Sequence, residues 1–494
     1  MKKSEKNNQS TVLVIGSGVG GLATAARLAA RGYKVTVFEQ NSHYGGKVSK
    51  IEKDGYLWGF GASLFTFPEL LDQVFTMCSK NPNDYYHYTR IDPICRYFYP
   101  DGTRLEAHAE PAKFAAELEM KTGEPQTHTL KYLKDSEQVY EMTKDIFLFQ
   151  SLHKLSTYMN QQVLRSLFNF GKIGIFKSLN QKNEDQFDDP RVVQLFNRYA
   201  TYNGSDPYIA PSTLRVISHP EYGKGAYFLD GGMPDLTRSL YELCVDMGVQ
   251  FEFNTKVESI LVSGASAAGL TVNNNELKAD IVVSNMDVVY TYQKLMPDQQ
   301  APQHIIEGDK STSALIFYWG LNATFPQLEL HNIFFSGDYR AEFDYLSDKK
   351  LVYQDPTVYI YISSKKQKSH APDGCENWFV LINVPHDSGQ DWDQIIADAR
   401  SNILAKLSKE LGIDIGPYIQ CETINDPRTI QSKTQSYLGA LYGNSSNDVL
   451  SAFLRHPNFS PRIKGLYFAG GSVHPGGGVP LCLLSAKIID ELVG

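Results

Sequence analysis

The sequence lacks the marks of several large protein classes. It has no C-x-x-C pair, no G-x-S-x-G elbow, no pair of His or carboxylate residues at metal-ligand spacing, and no apolar run of membrane-spanning length. The six cysteines, Cys78, Cys95, Cys244, Cys375, Cys421 and Cys482, stand singly. They read as small buried apolar residues in a reducing compartment rather than as a disulfide framework or a metal cage. Without the elbow or the ligand spacing, hydrolase and metalloenzyme readings have no support, and no metal is expected. The amino terminus, MKKSEKNNQS, is positively charged, but the apolar run after it, Thr11–Ile15, is far too short to span a bilayer and ends in glycines rather than a cleavage site. A cytoplasmic chain, peripherally associated with the inner membrane face, is expected. Basic residues are also in deficit: 47 Lys and Arg stand against 55 Asp and Glu, a formal charge of −8, with an isoelectric point near 5.9. No basic tail compensates, so nucleic acid is excluded as the expected partner.

What is present is that of an ordinary globular protein. The 494 residues are 42% hydrophobic and 21% charged, with a mean hydropathy of −0.30. That length predicts interleaved regions around cores large enough to bury a large ligand. The first unit reads strand, glycine turn, helix, strand. TVLVI, Thr11–Ile15, is a continuous apolar run, as a doubly covered parallel strand requires. The next segment places Leu22, Ala25, Ala26 and Ala29 on one helical face and stops at Gly32, and KVTVFE, Lys34–Glu39, is a second strand. The expected division of the chain is a dinucleotide-type part over 1–105, a helical substrate and membrane region over 106–214, a second dinucleotide part over 215–305, a mixed-sheet substrate domain over 306–425, and a third dinucleotide part over 426–494. The fold class is thus α/β, with a discontinuous Rossmann-like domain built from both ends of the chain.

GSGVGG supplies Gly16, Gly18 and Gly21 as G-x-G-x-x-G directly after a strand and at the start of a helix. The glycines serve a tight turn, close approach of backbone to a pyrophosphate, and close packing of helix on strand. Phosphates then meet free N–H groups at the positive end of the helix. Glu39 ends the second strand 23 residues after Gly16, where a carboxylate accepts hydrogen bonds from ribose hydroxyls and repels a 2′-phosphate. Gly45, Gly46 and Lys47 follow, then GFGAS over Gly59–Ser63. A nicotinamide enzyme has no obvious need for these, whereas a flavin dinucleotide crossing the sheet needs several close backbone approaches and a cation near its diphosphate.

The closing segment, GLYFAGGSVHPGGGVPLCLLSAK over Gly465–Lys487, resembles that of the bacterial phytoene desaturases and related carotenoid desaturases. GGMPDLTRSL from Gly231, VVSNMD from Val282, HNIFFSGDYRAEF from His331 and APDGCENWFVLINVP from Ala371 carry the same resemblance, in the family's order, over nearly the whole chain. RYATYNGSDPYIAPS over Arg198–Ser212 is closer to the carotenoid 3,4-desaturases, which act on hydroxylated or otherwise modified acyclic ends. The resemblance implies an FAD-dependent oxidoreductase that forms the C-3,4 double bond of an apolar carotenoid. Phytoene desaturation and a non-oxidative flavin-dependent isomerase stand as alternatives. Residue by residue, the resemblance implies FAD on Gly16, Gly18, Gly21, Glu39, Gly45, Gly46 and Lys47, with Gly61, Ala62 and Ser63 near the flavin. It adds Val257 at the adenine, Gly470 and Gly471 at the ribityl chain, and Val479, Pro480 and Leu481 at the start of a helix aimed at the pyrimidine end. Two departures stand out: Gly59 occupies a position where many members have Asp, and Gly471 and Ser472 replace an acid that often follows the position of Gly470.

Removing hydride and a proton from a bond next to a polyene requires mainly positioning and stabilisation of positive charge, to which aromatic faces are suited. His474, in the flavin segment, is the candidate proton acceptor, and His219, His331 and His456 read as structural. Ser151 to Lys182 contains Lys154, Arg165, Lys172, Lys177 and Lys182 with no acid, interleaved with Tyr158, Leu167, Phe168, Phe170, Ile173, Ile175 and Phe176, and reads as a membrane-docking surface. Nothing in the sequence specifies an oligomeric state.

Overall fold

The computed structural model describes residues 10–147, 177–447 and 455–494. Its organising element is a five-stranded sheet, all of whose pairings are parallel. The chain contributes β1 (Thr11–Ile15), α1 (Val19–Ala30), β2 (Lys34–Phe38), β3 (Gln250–Glu252), β4 (Ile281–Ser284), β5 (Leu466–Phe468) and α2 (Val479–Val493). The strand order is β5-β4-β1-β2-β3, so segments from both ends and the middle of the chain close one sheet. The continuous apolar run of β1 is explained by two-sided covering. Val12 and Val14 pack with Leu22, Ala25 and Ala26 of α1 and Leu483 and Leu484 of α2. Leu13 and Ile15 face the opposite core, with Val257, Ile260, Leu270 and Val272. That second layer is an antiparallel sheet of Val257–Ser263, Ser266–Val272 and Asn275–Lys278. The short β3, QFE, is the edge strand of this sheet, and among the described residues it pairs with β2 alone.

A seven-stranded sheet forms the second region, in the order 419–425, 313–321, 376–384, 358–361, 331–334, 95–98 and 104–107. Its pairings are antiparallel except that His331–Phe334 runs parallel to Cys95–Phe98. The two earliest strands come from before residue 108, so the sheets do not divide at the expected boundary of 105. All nine residues of Ser313–Leu321 are buried, and alternation sends them to different tasks. Leu315, Phe317, Trp319 and Leu321 meet the helix Trp392–Leu411, while Ala314 and Ile316 face a cavity. The helix begins at Asp391, whose side chain accepts from the Gln394 N–H at 3.2 Å, and stops at Gly412, whose φ of 71° suits glycine. Its buried stripe is Trp392, Ala399, Ile403 and Leu407. Truncating the fully buried Ile403 to Ala removes about 2–5 kcal/mol.

The chain also forms helices at Pro111–Thr122, Gln126–Phe147, Leu179–Glu184 and Pro190–Asn197. Of the expected docking stretch, Lys154, Arg165, Lys172 and the interleaved apolar residues fall outside the described residues. Lys177 pairs with Asp185, and Lys182 lies in the last turn of a short helix. No helix among the described residues is long and apolar enough to cross a membrane.

Candidate active site

A cavity of about 980 Å³ lies at the carboxyl ends of the parallel strands, the usual ligand position in such sheets. It stands at the upper end of the roughly 300–1,000 Å³ range of ligand pockets. Gly16, Gly18, Gly20, Glu39, Gly45, Gly46 and Lys47 line one part of it, with Val257 and Asn285. Gly61, Ala62, Ser63, Gly470, Gly471, Val479 and Pro480 line the rest, together with Tyr202, Leu381 and Tyr442. Of the residues expected from sequence, Gly21, Leu481 and His474 are not in the wall.

Two helices turn their amino ends to this space. Gly18 begins α1 and Gly478 begins α2, each without a side-chain cap, which leaves first-turn N–H groups for a ligand. A negative group at either end gains about 0.3–1 kcal/mol. The turns approach one another too closely for side chains. A Cβ on Gly20 would stand 2.9 Å from both Gly470 N and Asn285 Nδ2, and one on Gly18 would stand 2.8 Å from Asn285 Oδ1. A Cβ on Gly21 would meet the Gly16 carbonyl at 2.2 Å, so that glycine serves the packing of α1 on its own turn.

Glu39 is buried, and its carboxylate is held by four donors. Ser17 N and Oγ donate to Oε2 at 2.9 and 2.8 Å, and Asn41 N and Nδ2 donate to Oε1 at 2.9 and 2.8 Å. Sugar hydroxyls reaching it share this acceptor with Asn41. Lys47 Nζ donates to the Leu441 carbonyl at 2.7 Å. Burial lowers its pKa, against the attraction of Asp287. Asp287, from VVSNMD, also lines the cavity and accepts from Val289 N at 2.9 Å; burial raises its pKa, offset by that hydrogen bond and by Lys47. The acid missing after Gly470 is thus accompanied by one from another segment, while Ser472 Oγ is taken up by Val288 N at 3.0 Å. The uncapped helix ends, the glycine cradle, the sugar-facing carboxylate and the buried cation together fit a long dinucleotide such as FAD.

Next to Ser63 and Tyr442 the cavity adjoins a smaller chamber of about 160 Å³. In its wall Arg198 and Glu221 form a buried pair at 3.3 Å. Tyr97 and Tyr199 accept from Arg198 Nη2 at 2.5 and 3.0 Å, Tyr202 accepts from Nη1 at 3.1 Å, and Tyr199 and Tyr202 donate to the two oxygens of Glu221. His331, read from sequence as structural, lines this chamber; its Nδ1 meets Tyr359 Oη at 2.7 Å, and that hydroxyl meets Ser63 Oγ at 2.8 Å. Burial, and then the charge of Arg198, lowers the His331 pKa to about 3, so the ring is neutral. His474, by contrast, is buried in the turn before α2; its N–H bonds His456 O at 2.9 Å and its carbonyl accepts from Asn458 at 2.7 Å. Asn285, Asp287, Arg198, Tyr359 and Asn383 had no sequence signal of function beyond their place in family-like segments, and Glu221 had none.

Elsewhere, Glu124, His128 and Asp188 bring ligand-type atoms within 4.8 Å of one another, a cluster that spacing did not suggest. The Glu124 carboxylate is already engaged by Asp188 N, Asp189 N and His128 at 2.9, 2.8 and 2.8 Å.

Comparison with known proteins finds the flavin containing amine oxidoreductase family matching residues 19–488. The chain is 47% identical to a 1-hydroxycarotenoid 3,4-desaturase of Flavobacterium sp. (strain P99-3), covering 97% of this chain and 98% of that protein. It is 30% identical to a phytoene desaturase of Fusarium fujikuroi, covering 98% and 89%. Among solved structures, an oxidoreductase from Methanosarcina mazei superposes with a TM-score of 0.65 at 14% identity, over 97% of this chain and 100% of the other, which speaks to the fold alone.

Proposed function

The chain belongs to the flavin containing amine oxidoreductase family, and on that premise we propose that it is an FAD-dependent carotenoid desaturase forming the C-3,4 double bond at a 1-hydroxylated acyclic end. The observation that carries the reading is 47% identity, along almost the full length of both chains, to a protein with that activity. Bound FAD supplies the acceptor for the hydrogen removed from the carotenoid. The protein holds the cofactor through the helix ends at Gly18 and Gly478, the backbone of Gly45 and Gly46, Glu39 on the adenosine sugar, and Lys47. Asp287 serves where many relatives place an acid after the position of Gly470.

Around the reacting bond the chain's task is to orient and to keep water out. Leu64, Leu381 and Leu441 give the wall between cavity and chamber an apolar surface. Tyr202 and Tyr442, in the same wall, can face a developing positive charge. His331, neutral and deeply buried, does not act as a proton acceptor at neutral pH.

At about 0.8 kcal/mol per CH₂, a forty-carbon substrate is held in lipid by tens of kcal/mol. The protein therefore takes it up at a membrane surface, and the basic, aromatic stretch around Lys154 to Lys182 is the surface we assign to that contact. Co-sedimentation with anionic liposomes tests it, and indifference to them removes the assignment. For the activity, the holoprotein is mixed anaerobically with 1-hydroxylycopene in liposomes. Bleaching of the flavin and a product two hydrogens lighter are expected. A product of unchanged mass indicates isomerisation, and reaction of phytoene alone moves the assignment to the earlier pathway step.

A further inference from the structure

The chamber beside Ser63 is more polar than a hydrocarbon needs. Its volume is about 160 Å³, and it shares Ser63, Leu64, Tyr202, Leu381, Leu441 and Tyr442 with the main cavity. It adjoins the part of that cavity lined by Ser63 and Tyr442, away from Glu39 and Val257. His331 is 3% exposed and spends Nδ1 on Tyr359. Its Nε2 makes no hydrogen bond among the described residues. Asn383 alternates with the core residues Ile382 and Val384 and so faces the chamber beside Leu381. Its carboxamide has no partner among the described residues, and neither does the hydroxyl of Tyr339, which is also in the wall.

Filling such a space with an apolar chain end removes water from these groups and gives nothing in return, and buried polar groups left unpaired are the costly case. A hydroxyl brings one donor and two acceptors. Tyr359 donates its one proton to Ser63 Oγ at 2.8 Å, so Nδ1–H of His331 donates to Tyr359 and Nε2 is left to accept from the substrate hydroxyl. Asn383 offers both roles. Building on the desaturase reading above, we infer that this chamber is the seat of the substrate's C1 hydroxyl, held by His331 Nε2 and Asn383. The connectivity agrees. The hydroxyl oxygen is three bonds from C3, so a C3–C4 bond placed beside Ser63 and Tyr442 puts it within reach of this adjoining space. His331 and Asn383 are then specificity-determining residues that separate a hydroxylated end from the plain hydrocarbon end.

The test compares kcat/KM for 1-hydroxylycopene and lycopene, both in liposomes with a quinone as electron acceptor, and anaerobic bleaching of the bound flavin follows the single turnover. Wild type prefers the hydroxylated substrate by about 10- to 100-fold, the size expected when a site built for a hydroxyl receives none. His331→Phe and Asn383→Leu each lower that preference by about tenfold, chiefly through KM for the hydroxylated substrate, while the flavin absorbance stays that of wild type. Where either variant loses its flavin the other carries the comparison, and the wild-type ratio requires no variant. Equal kcat/KM for the two substrates in wild type overturns the assignment and leaves the desaturase reading standing, as does a loss of rate in both variants that is the same on both substrates. If neither carotenoid bleaches the wild-type flavin, the desaturase reading itself falls and takes this assignment with it.

Discussion

Substituting Gly20 by Ala tests whether the two ends of the chain meet at one cofactor. Gly20 is the second residue of α1 and its φ is ordinary, so Ala is accepted by the backbone. Alanine is the better helix former by about 1 kcal/mol, which by itself stabilises the helix. The new Cβ, however, lies 2.9 Å from Gly470 N, 2.9 Å from Asn285 Nδ2 and 3.1 Å from Gly470 Cα, where ordinary contact begins at 3.4 Å. Gly470 N is backbone already bonded to Ser485 Oγ at 3.1 Å, so it cannot swing aside as a side chain does. Overpacking of this kind costs about 1–3 kcal/mol. The apoprotein should therefore lose at most about 2 kcal/mol, the helix gain offsetting part of the clash. Gly20 and Gly470 both line the cavity, so the displacement falls on the cofactor's seat. FAD affinity should drop by about 5- to 150-fold, the equivalent of 1–3 kcal/mol. Titration of apoprotein by quenching of FAD fluorescence reads the affinity, and circular dichroism reads the melting of the apoprotein. An affinity within about twofold of wild type refutes the reasoning, because it means the two turns do not frame the cofactor.

Other outcomes follow from buried charge. Burial pushes the Glu342 carboxyl up to about 7, opposed by its hydrogen bonds from Thr357 N and Oγ1 at 3.0 and 2.7 Å. The unfolded chain gives up that proton near the ordinary value of 4.5, so stability falls as pH rises between those values, by about 3 kcal/mol in all, and levels off above them. Glu342→Gln should flatten this slope in melting temperatures measured from pH 5 to 8, and an unchanged slope contradicts it. Arg198→Met strands Glu221, whose side chain is 2% exposed, and should cost about 3–5 kcal/mol in denaturant unfolding; a loss below about 1 kcal/mol contradicts the geometry. Lys47→Met should weaken FAD binding by about tenfold, a charge-assisted hydrogen bond's worth. The apoprotein should be little affected, because burying that cation opposes folding, and equal losses in apoprotein and holoprotein melting contradict the role.

The dinucleotide end was legible because its chemistry is local. Gly16, Gly18 and Glu39 fall within one strand–helix–strand unit whose spacing alone brings them to one strand edge, and the apolar run Thr11–Ile15 announces covering on both faces. The second sheet was legible in kind but not in membership. Cys95–Phe98 and Arg104–Ala107 lie far ahead of the expected sheet region, 306–425, and the parallel neighbour of the first, His331–Phe334, is more than two hundred residues away, a pairing that no local pattern encodes. The chamber was illegible for the same reason. Arg198, Glu221, His331, Tyr359 and Asn383 come from separate segments, and each taken singly is a common core or surface residue. Alternation along Glu376–Val384 does separate Leu381 and Asn383 from Ile382 and Val384, so an isolated Asn on the apolar face of a strand was the one available signal. His474 misled because it sits within the family-like turn while its backbone serves that turn and its ring lies outside the cavity wall.

Loss of hydride next to a polyene leaves positive charge on the substrate, for which a guanidinium in the wall of the adjoining chamber is by itself the wrong neighbour. At about 4 Å and an effective dielectric of about 20, two like charges repel by about 4 kcal/mol, enough to slow such a step by about a thousandfold. The arrangement removes the difficulty. Arg198 stacks against the rings of Tyr199, Tyr97 and Tyr202 with centroids at 4.4, 5.2 and 5.5 Å and is matched by Glu221 at 3.3 Å, so the cluster is neutral as a unit. The same wall carries Tyr202, Tyr359 and Ser63, whose hydroxyl oxygens present lone pairs. His331 completes the pattern, since the burial and the nearby guanidinium that lower its pKa keep a second cation from forming on the same wall. The side chains that hold Arg198 therefore allow a polar chamber to stand beside a cation-forming reaction. A substitution that removes Glu221 while leaving Arg198 should for that reason slow the chemical step more than it weakens substrate binding.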